Sequence, residues 1–585
     1  MENYRNFDLT SYVYAYYIKD ATDEQINKDI DHFLSYAPLK KVYIENHRGR
    51  VSISKERMLQ VKDIFESRGI KTSGGIVPTG NTGERKPSIF DSFCYTDKKE
   101  RALFLSYIKE LAEEFDEIIL DDFFFTACRC DQCIAAKGNR SWAEYRIDLM
   151  NEVSRDMVKM AHDINPKLNF IIKYPAWYKS YFETGYNPGI QKDIFDEVFT
   201  GTETRLPDYD MQHFQRYHSY SIIRWMENAA PGKNGGGWID SGGSGHSANV
   251  FLEQVECTVF AGAKEIMLWN FADFVKHDNL NLPPVGKDLQ RMDKIMDKVG
   301  KPVGTAVYEP FNSDGEDMIY NYYGLRGLSF EPTPYFDMDA PVMLLTSSSA
   351  KDEEVIDKLR AYLKSGKTAI ITSGFLKDTW DRGIRDFTNL RRTGNWMNGT
   401  EYMTGERNHA KESGVFKGKG PVNVEVFNNK DNAGWTDVSI IDRQFNAPLF
   451  NEEDYSKGQV FTLNIPANYA DVYNIPAGAM DVIARHVSLG QKVYISSEDK
   501  VSLYQYDNGV FGLHNLEFHS SFVRVHVRGE AKGIRNIETG AVYDRLIPSP
   551  ERSIAGDAAS FLPEEEESFI DIKVESGKYT FFEII

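Results

Sequence analysis

The chain has no run of about 18 consecutive apolar residues, so nothing in it reads as a membrane-spanning helix. Its first residues, Met1 to Asp8, are polar and lack the apolar centre of a secretory signal. As it stands, the protein is expected in the cytoplasm; removal of a signal peptide would make it periplasmic or secreted. Cysteine is scarce, five in 585 residues, too few for a disulfide framework. Positive charge is in deficit, with 68 Lys and Arg against 87 Asp and Glu, a net charge of −19. So acidic a chain argues against phosphate-backbone binding and against docking on anionic lipid. Neither nucleic acid nor membrane is an expected partner. H-x-H and H-E-x-x-H patterns are missing, and His47, His246 and His277 are scattered, so no catalytic metal is expected.

What the chain does have is pattern. Apolar residues at 41% and aromatics at 13% suit folded domains. In the first 300 residues, eight β-branched and aromatic runs alternate with stretches of helical apolar spacing. The runs are 12–18, 41–47, 71–79, 115–125, 169–177, 196–205, 236–242 and 265–273; helices are predicted at 23–36, 55–68, 98–114, 142–164 and 248–263, among others. Eight strand–helix units in one series predict a closed (β/α)8 TIM barrel over residues 1–302. The stretch 303–490 carries a strand–helix–strand unit, APVMLLT, then Glu353–Ser365, then KTAIIT, expected in an open α/β domain. Within it, Arg391–Asp437 is rich in Gly and Asn and reads as long loops or insertions. Residues 491–585 alternate in short runs and predict a small antiparallel β-domain.

Barrel chemistry sits at the C-terminal ends of the strands. Six of these tips are polar: Glu45, His47 and Arg48 after strand 2; Asp121 and Asp122 after strand 4; Lys173 and Trp177 at strand 5; Glu203 and Arg205 at strand 6; Trp238 and Asp240 at strand 7; Trp269 and Asn270 at strand 8. Several carboxylates beside aromatic rings suit glycoside cleavage. One carboxyl protonates the leaving oxygen, and a second attacks or activates water on the other face of the sugar. The candidate catalytic residues are Asp121 or Asp122, as nucleophile or base, and Glu203, as acid/base. The others named would bind a carbohydrate substrate. Period-two alternation sends one of the two Asp into the barrel mouth, Asp121 by preference, and the other toward the helices. Arg205 is expected to share the face of Glu203 and to lower its pKa. Long loops over the mouth suggest exo action.

Cys128, Cys130 and Cys133 form a C-x-C-x2-C cluster just beyond strand 4, and Cys94 lies in the preceding strand–helix loop. Four thiolates so placed predict a closed, structural zinc site. Cys257 reads as a core residue.

With these cysteines, the chain resembles glycoside hydrolase family 42, the β-galactosidases built of a barrel, an α/β trimerisation domain and a small C-terminal β-domain. That family has one upstream cysteine followed by C-x-C-x2-C after strand 4. The stretch APVMLLT…KSGKTAIITSGFL is similar to its glutamine-amidotransferase-like trimerisation domain, which implies a homo-oligomer, first a trimer. No Gly-x-Cys-x-Gly nucleophile turn accompanies that stretch, so amidotransferase activity is not expected. The family carries Asn-Glu at the end of strand 4 and a nucleophilic Glu on strand 7, where this chain has Asp121-Asp122 and Asp240. A nucleophilic Asp on strand 4 with an acid on strand 6 resembles α-galactosidase-type and dextranase-type barrels instead. The implied function is that of a divergent glycosidase. The alternative is a non-catalytic carbohydrate-binding protein on a decayed barrel.

Overall fold

The computed structural model describes residues 2–80, 92–206, 214–240, 248–276, 279–405, 414–443, 445–548 and 567–585. His246, His277 and the last two residues of the run 236–242 lie outside them. The chain forms two compact units, residues 1–297 and 298–585. Among the described residues no helix is long and apolar enough to cross a membrane.

The first unit is the expected barrel. Its strands are β1 (Asp8–Val13), β2 (Lys41–Glu45), β3 (Lys71–Ile76), β4 (Glu117–Leu120), β5 (Asn169–Tyr174), β6 (Glu197–Gly201), β7 (Asn234–Asp240) and β8 (Glu265–Trp269). Each lies parallel to its sequence neighbours, and β8 closes on β1. Strand alternation then sorts the inward side chains into three layers. Lys41, Tyr43 and Glu45 occupy the bottom, middle and top of β2. The same holds for Glu117, Ile119 and Asp121 at β4, Asn169, Ile171 and Lys173 on β5, and Glu265, Met267 and Trp269 on β8.

The middle layer is an apolar plug of Tyr12, Tyr43, Ile119, Ile171, Phe199, Trp238 and Met267. The bottom layer is polar and internally satisfied. The Lys41 ammonium meets Glu117 at 2.7 Å and also contacts Glu265, while Asn169 donates to Glu117 and Glu197. Burial still pushes the Glu265 carboxyl up to about 7. Around the barrel, several helices start where side chains supply caps. Thr22 accepts from the Gln25 N–H, Ser54 from that of Arg57, and Ser141 forms a capping box with Glu144 ahead of the 23-residue helix Trp142–Ile164.

Two expectations fail here, the second in part. The run 12–18 is not a strand: β1 ends at Val13 and Ala15–Asp20 is helical. Its aromatic texture suits a strand, but the Glu45 carboxylate accepts the Ala15 N–H at 2.6 Å and starts a helix turn there. In the second unit, Arg391–Asp437 is an insertion between the parallel strands Thr368–Thr372 and Gly458–Leu463, but not of loops: it is mostly long antiparallel strand, Leu390–Thr404, Gly414–Asn429 and the start of Gly434–Asp442. Much of this arm is exposed, so no clear apolar alternation marks it.

These strands extend a nine-stranded sheet whose parallel part comprises Thr305–Tyr308, Phe330–Thr333, Val342–Leu345, Thr368–Thr372 and Gly458–Leu463. The strand–helix–strand unit falls at Val342–Leu345, Val355–Lys364 and Thr368–Thr372, as the sequence predicts. Beyond Gln491 the chain builds two further sheets, one of four strands and one of five that Pro302–Val303 extends to six, whose pairings are antiparallel throughout.

Candidate active site

The barrel mouth is organised around one ammonium. Lys173, inward at the top of β5, lies 2.9 Å from Asp122, 2.8 Å from Glu203 and 3.5 Å from Asp121, with its Nζ 4.3 Å over the Trp238 ring. All four charged side chains are largely withdrawn from solvent, Asp122 being the most open at 22%. Burial alone would strip the proton from Lys173, but three carboxylates outweigh it and hold the ammonium charged.

The acids around it differ. For Asp122, burial is outweighed by the adjacent ammonium, so its carboxyl stays below the usual range. Asp121 is pushed up to about 7 by burial and by the charge of Asp122, against the pull of Lys173 and Arg48. Glu203 is raised by burial, which the Lys173 charge only partly offsets.

Both Asp therefore reach the mouth, and the expectation that one faces the helices fails. Asp121 follows the inward register of Glu117 and Ile119. β4 ends at Leu120, so Asp122 is released from alternation; its N–H donates to the Asp121 carboxylate at 2.7 Å and its carbonyl accepts from Tyr186. A second cation supports Asp121 from the other side. Arg48 donates to it at 3.1 Å and to both oxygens of Glu45, and lies 5.5 Å over the Trp269 ring. Tyr12 completes this corner by donating to Glu45 at 3.0 Å.

Arg205 does not pair with Glu203. Its backbone is left-handed (φ 48°), and its guanidinium turns to Asp240 at 2.8 Å. The Arg205 charge still pulls Glu203 down, as expected, but burial outweighs it and Glu203 is raised on balance. Asp240 too is raised by burial against Arg205.

Three candidate substrate-binding residues are committed elsewhere. His47 is buried, stacked on Tyr107 at 4.2 Å, with one ring nitrogen at Thr79 O (2.7 Å) and the other at Ser52 (2.9 Å). Burial lowers its pKa to about 4, so it stays neutral. Asn270 caps the short helix Phe271–Phe274 through the Asp273 N–H. Trp177 packs among Phe125, Tyr181 and Tyr186.

Sequence reasoning missed Tyr12, because its run was assigned to a strand starting there. It also missed Gly201. A methyl group at that position would collide with the Glu203 carboxylate, so only glycine lets this side chain fold back over β6.

The four cysteines converge, their sulfur atoms all within 4.8 Å of one another. Cys94 Sγ lies 3.8 Å from Cys130 Sγ and 3.6 Å from Cys133 Sγ. Tetrahedral zinc with bonds of about 2.3 Å would set its sulfurs roughly 3.8 Å apart, so the group fits that ion. Arg129, Lys137 and Arg146 lie 5.0–5.6 Å from the Trp142 ring, which packs against the cluster. Cys257 is buried in the helix Ala248–Phe260, as expected.

Comparisons with known proteins agree with this layout. The family described as "Probable glycosyl hydrolase, catalytic domain" matches residues 1–309, and "Probable glycosyl hydrolase, C-terminal domain" matches residues 492–584. An uncharacterised protein of Saccharolobus solfataricus is 27% identical over 396 residues, 61% of this chain; the chain spans 64% of that relative's length. Among solved structures, the beta-galactosidase of Bacillus circulans sp. alkalophilus aligns with a TM-score of 0.64 at 10% identity, covering 100% of this chain and 99% of its own. The beta-galactosidase of Halorubrum lacusprofundi gives 0.63 at 11%, covering 99% of each chain. The exo-beta-1,4-mannosidase of Opitutaceae bacterium strain TAV5 gives 0.52 at 12%, covering 79% of this chain and 92% of its own. At such identities these are likenesses of fold.

Proposed function

This chain belongs to the glycosyl hydrolase family whose catalytic domain matches residues 1–309, and from that premise we propose that it hydrolyses a glycosidic bond in an oligo- or polysaccharide, with Asp122 as nucleophile and Glu203 as acid/base. The observation that carries this reading is the Lys173 ammonium set between those two carboxylates at 2.9 and 2.8 Å. Two oxygens so close to one nitrogen lie less than about 6 Å apart, which favours the roughly 5–5.5 Å of a retaining pair over the 6.5–9.5 Å that admits water.

In the first step an Asp122 oxygen bonds to the anomeric carbon while the bond to the leaving oxygen breaks. Glu203 gives that oxygen its proton. Forming the ester removes the negative charge of Asp122, so Lys173 then acts on Glu203 with one less rival. That favours the carboxylate form, which takes a proton from water as the water oxygen attacks the anomeric carbon and releases Asp122. Asp121, tied to Arg48 and to the Asp122 N–H, positions the nucleophile. Trp269, Arg205 and Asp240 line the sugar site, with Trp238 buried beneath Lys173. Action is exo, with a terminal sugar held at these buried acids.

The barrel, residues 1–302, carries the reaction. Residues 303–490 serve assembly, and 491–585 form the C-terminal β-domain. The cysteine cluster holds a structural zinc, which braces the loops after β3 and β4 and takes no part in the chemistry. The experiment is a screen of nitrophenyl glycosides on the parent chain and on Asp122→Asn and Glu203→Gln. The first variant should lose turnover of every substrate. The second should retain nitrophenyl substrates far better than natural sugars and recover with azide, giving a glycosyl azide of retained configuration. Near-parental rates in both variants would refute the assignment and make Glu45 with Asp240 the next pair. Sugar binding without turnover in the parent would favour the carbohydrate-binding alternative.

A further inference from the structure

Beside the mouth, the first turns after β1 and β8 enclose a second groove of about 660 Å³, within the roughly 300–1,000 Å³ typical of ligand clefts. Its walls carry Tyr14, Tyr16, Asp20, Gln25, Lys28 and Lys276. The rings of Tyr14 and Tyr16 are half-buried, 6.2 Å apart and inclined by 41°. Neither hydroxyl has a hydrogen-bond partner among the described residues. The wall behind them is fixed, because Tyr17 donates to Asp29 at 2.7 Å and Gln25 donates to its other oxygen at 2.7 Å.

The groove neighbours the candidate site through the barrel's apolar plug. Tyr14 packs against the apolar plug of the barrel, as does Trp269, and the Trp269 ring lies under Arg48. Its charges are mixed, with Asp20 and Asp29 beside Lys28 and Lys276, so it has no field of one sign to select a polyanion. Half-buried aromatic faces flanked by hydrogen-bonding groups of both polarities suit the apolar face and the hydroxyl rim of a neutral pyranose ring. We infer that this groove is an outer subsite, taking sugar units of an oligosaccharide chain that leads away from the carboxylates at Lys173.

The inference rests on the glycosidase reading, but its test separates the two. Glu203→Gln protein is titrated calorimetrically with β-1,4-mannotetraose and β-1,4-galactotetraose, and with mannose and galactose. At least one tetraose should bind tenfold or more tightly than its monosaccharide. Adding Tyr16→Ala should weaken that tetraose at least tenfold and shift the monosaccharide less than twofold. Lys28→Ala, at an exposed position that tolerates substitution, should act in the same direction by threefold or more. No tetraose binding, no advantage over the monosaccharide, or an equal loss of both ligands would overturn the subsite. Hydrolysis of the tetraose by Glu203→Gln at near the parental rate would instead refute the catalytic assignment. The subsite would then be read from the effect of Tyr16→Ala on the KM for the tetraose.

Discussion

Glycine decides where the candidate acid points. An alanine at position 201 would force the Glu203 carboxyl off β6 and away from Lys173. Overpacking of this kind typically costs about 1–3 kcal/mol, so Gly201→Ala should fold with a lowered Tm while kcat falls at least tenfold. Assay of the folded fraction separates the two effects. His47 makes a different prediction. Its folded pKa, lowered by burial to about 4, lies below the unfolded value of about 6.5. The unfolded chain therefore takes up the proton first, and this contribution to stability, complete above pH 6.5, is lost as pH falls toward 4. The loss should reach the order of 3 kcal/mol. Urea unfolding between pH 7 and 4.5 should show a shallower acid slope for His47→Gln than for the parent. Equal slopes would mean that His47 is not held neutral.

At the scale of elements, the cysteine cluster joins the loop after β3 to the loop after β4. Purified protein should contain one zinc per chain, and Cys130→Ser should lower metal content and Tm while the kinetics of the folded fraction stay near those of the parent. Metal-free protein with five titratable thiols would dismiss the ion. That cluster was legible because its spacing is chemical and independent of register. The inward Asp121 was legible from period-two alternation. Asp122 was not, since it lies just past the last strand residue, where hydrogen bonds set direction. Nor was the pairing of Arg205 with Asp240, which depends on a left-handed backbone turn. His47 shares a strand tip with candidate ligands, yet a tertiary stack on Tyr107 claims it.

For the whole molecule, the antiparallel arm of the second unit leaves Trp396, Val415, Trp435 and Phe445 exposed, at 53%, 67%, 43% and 74%. Large apolar side chains gathered on one arm mark an association surface more often than an inert one. Sedimentation at micromolar concentration should give an oligomer, a trimer first, and Phe445→Ser with Val415→Lys should shift it toward single chains. A parent sedimenting only as a single chain would remove the assembly role assigned to residues 303–490.

The crowding of charge at the barrel mouth has a calorimetric consequence. Among the described residues, Glu45, Asp121, Asp122, Glu203 and Asp240 are paired there with Lys173, Arg48 and Arg205, and burial favours the protonated forms of Asp121, Glu203 and Asp240. Asp121, pushed up to about 7, thus gives the resting pocket an exchangeable hydrogen ion near neutrality. A neutral sugar that displaces water from among these acids should draw in more hydrogen ions, because lost solvation penalises the ionised forms. The apparent heat of saccharide binding at pH 7 should then differ between phosphate and Tris by the difference in their ionisation enthalpies multiplied by that uptake. The same titration on Asp121→Asn should show a smaller difference between the two buffers.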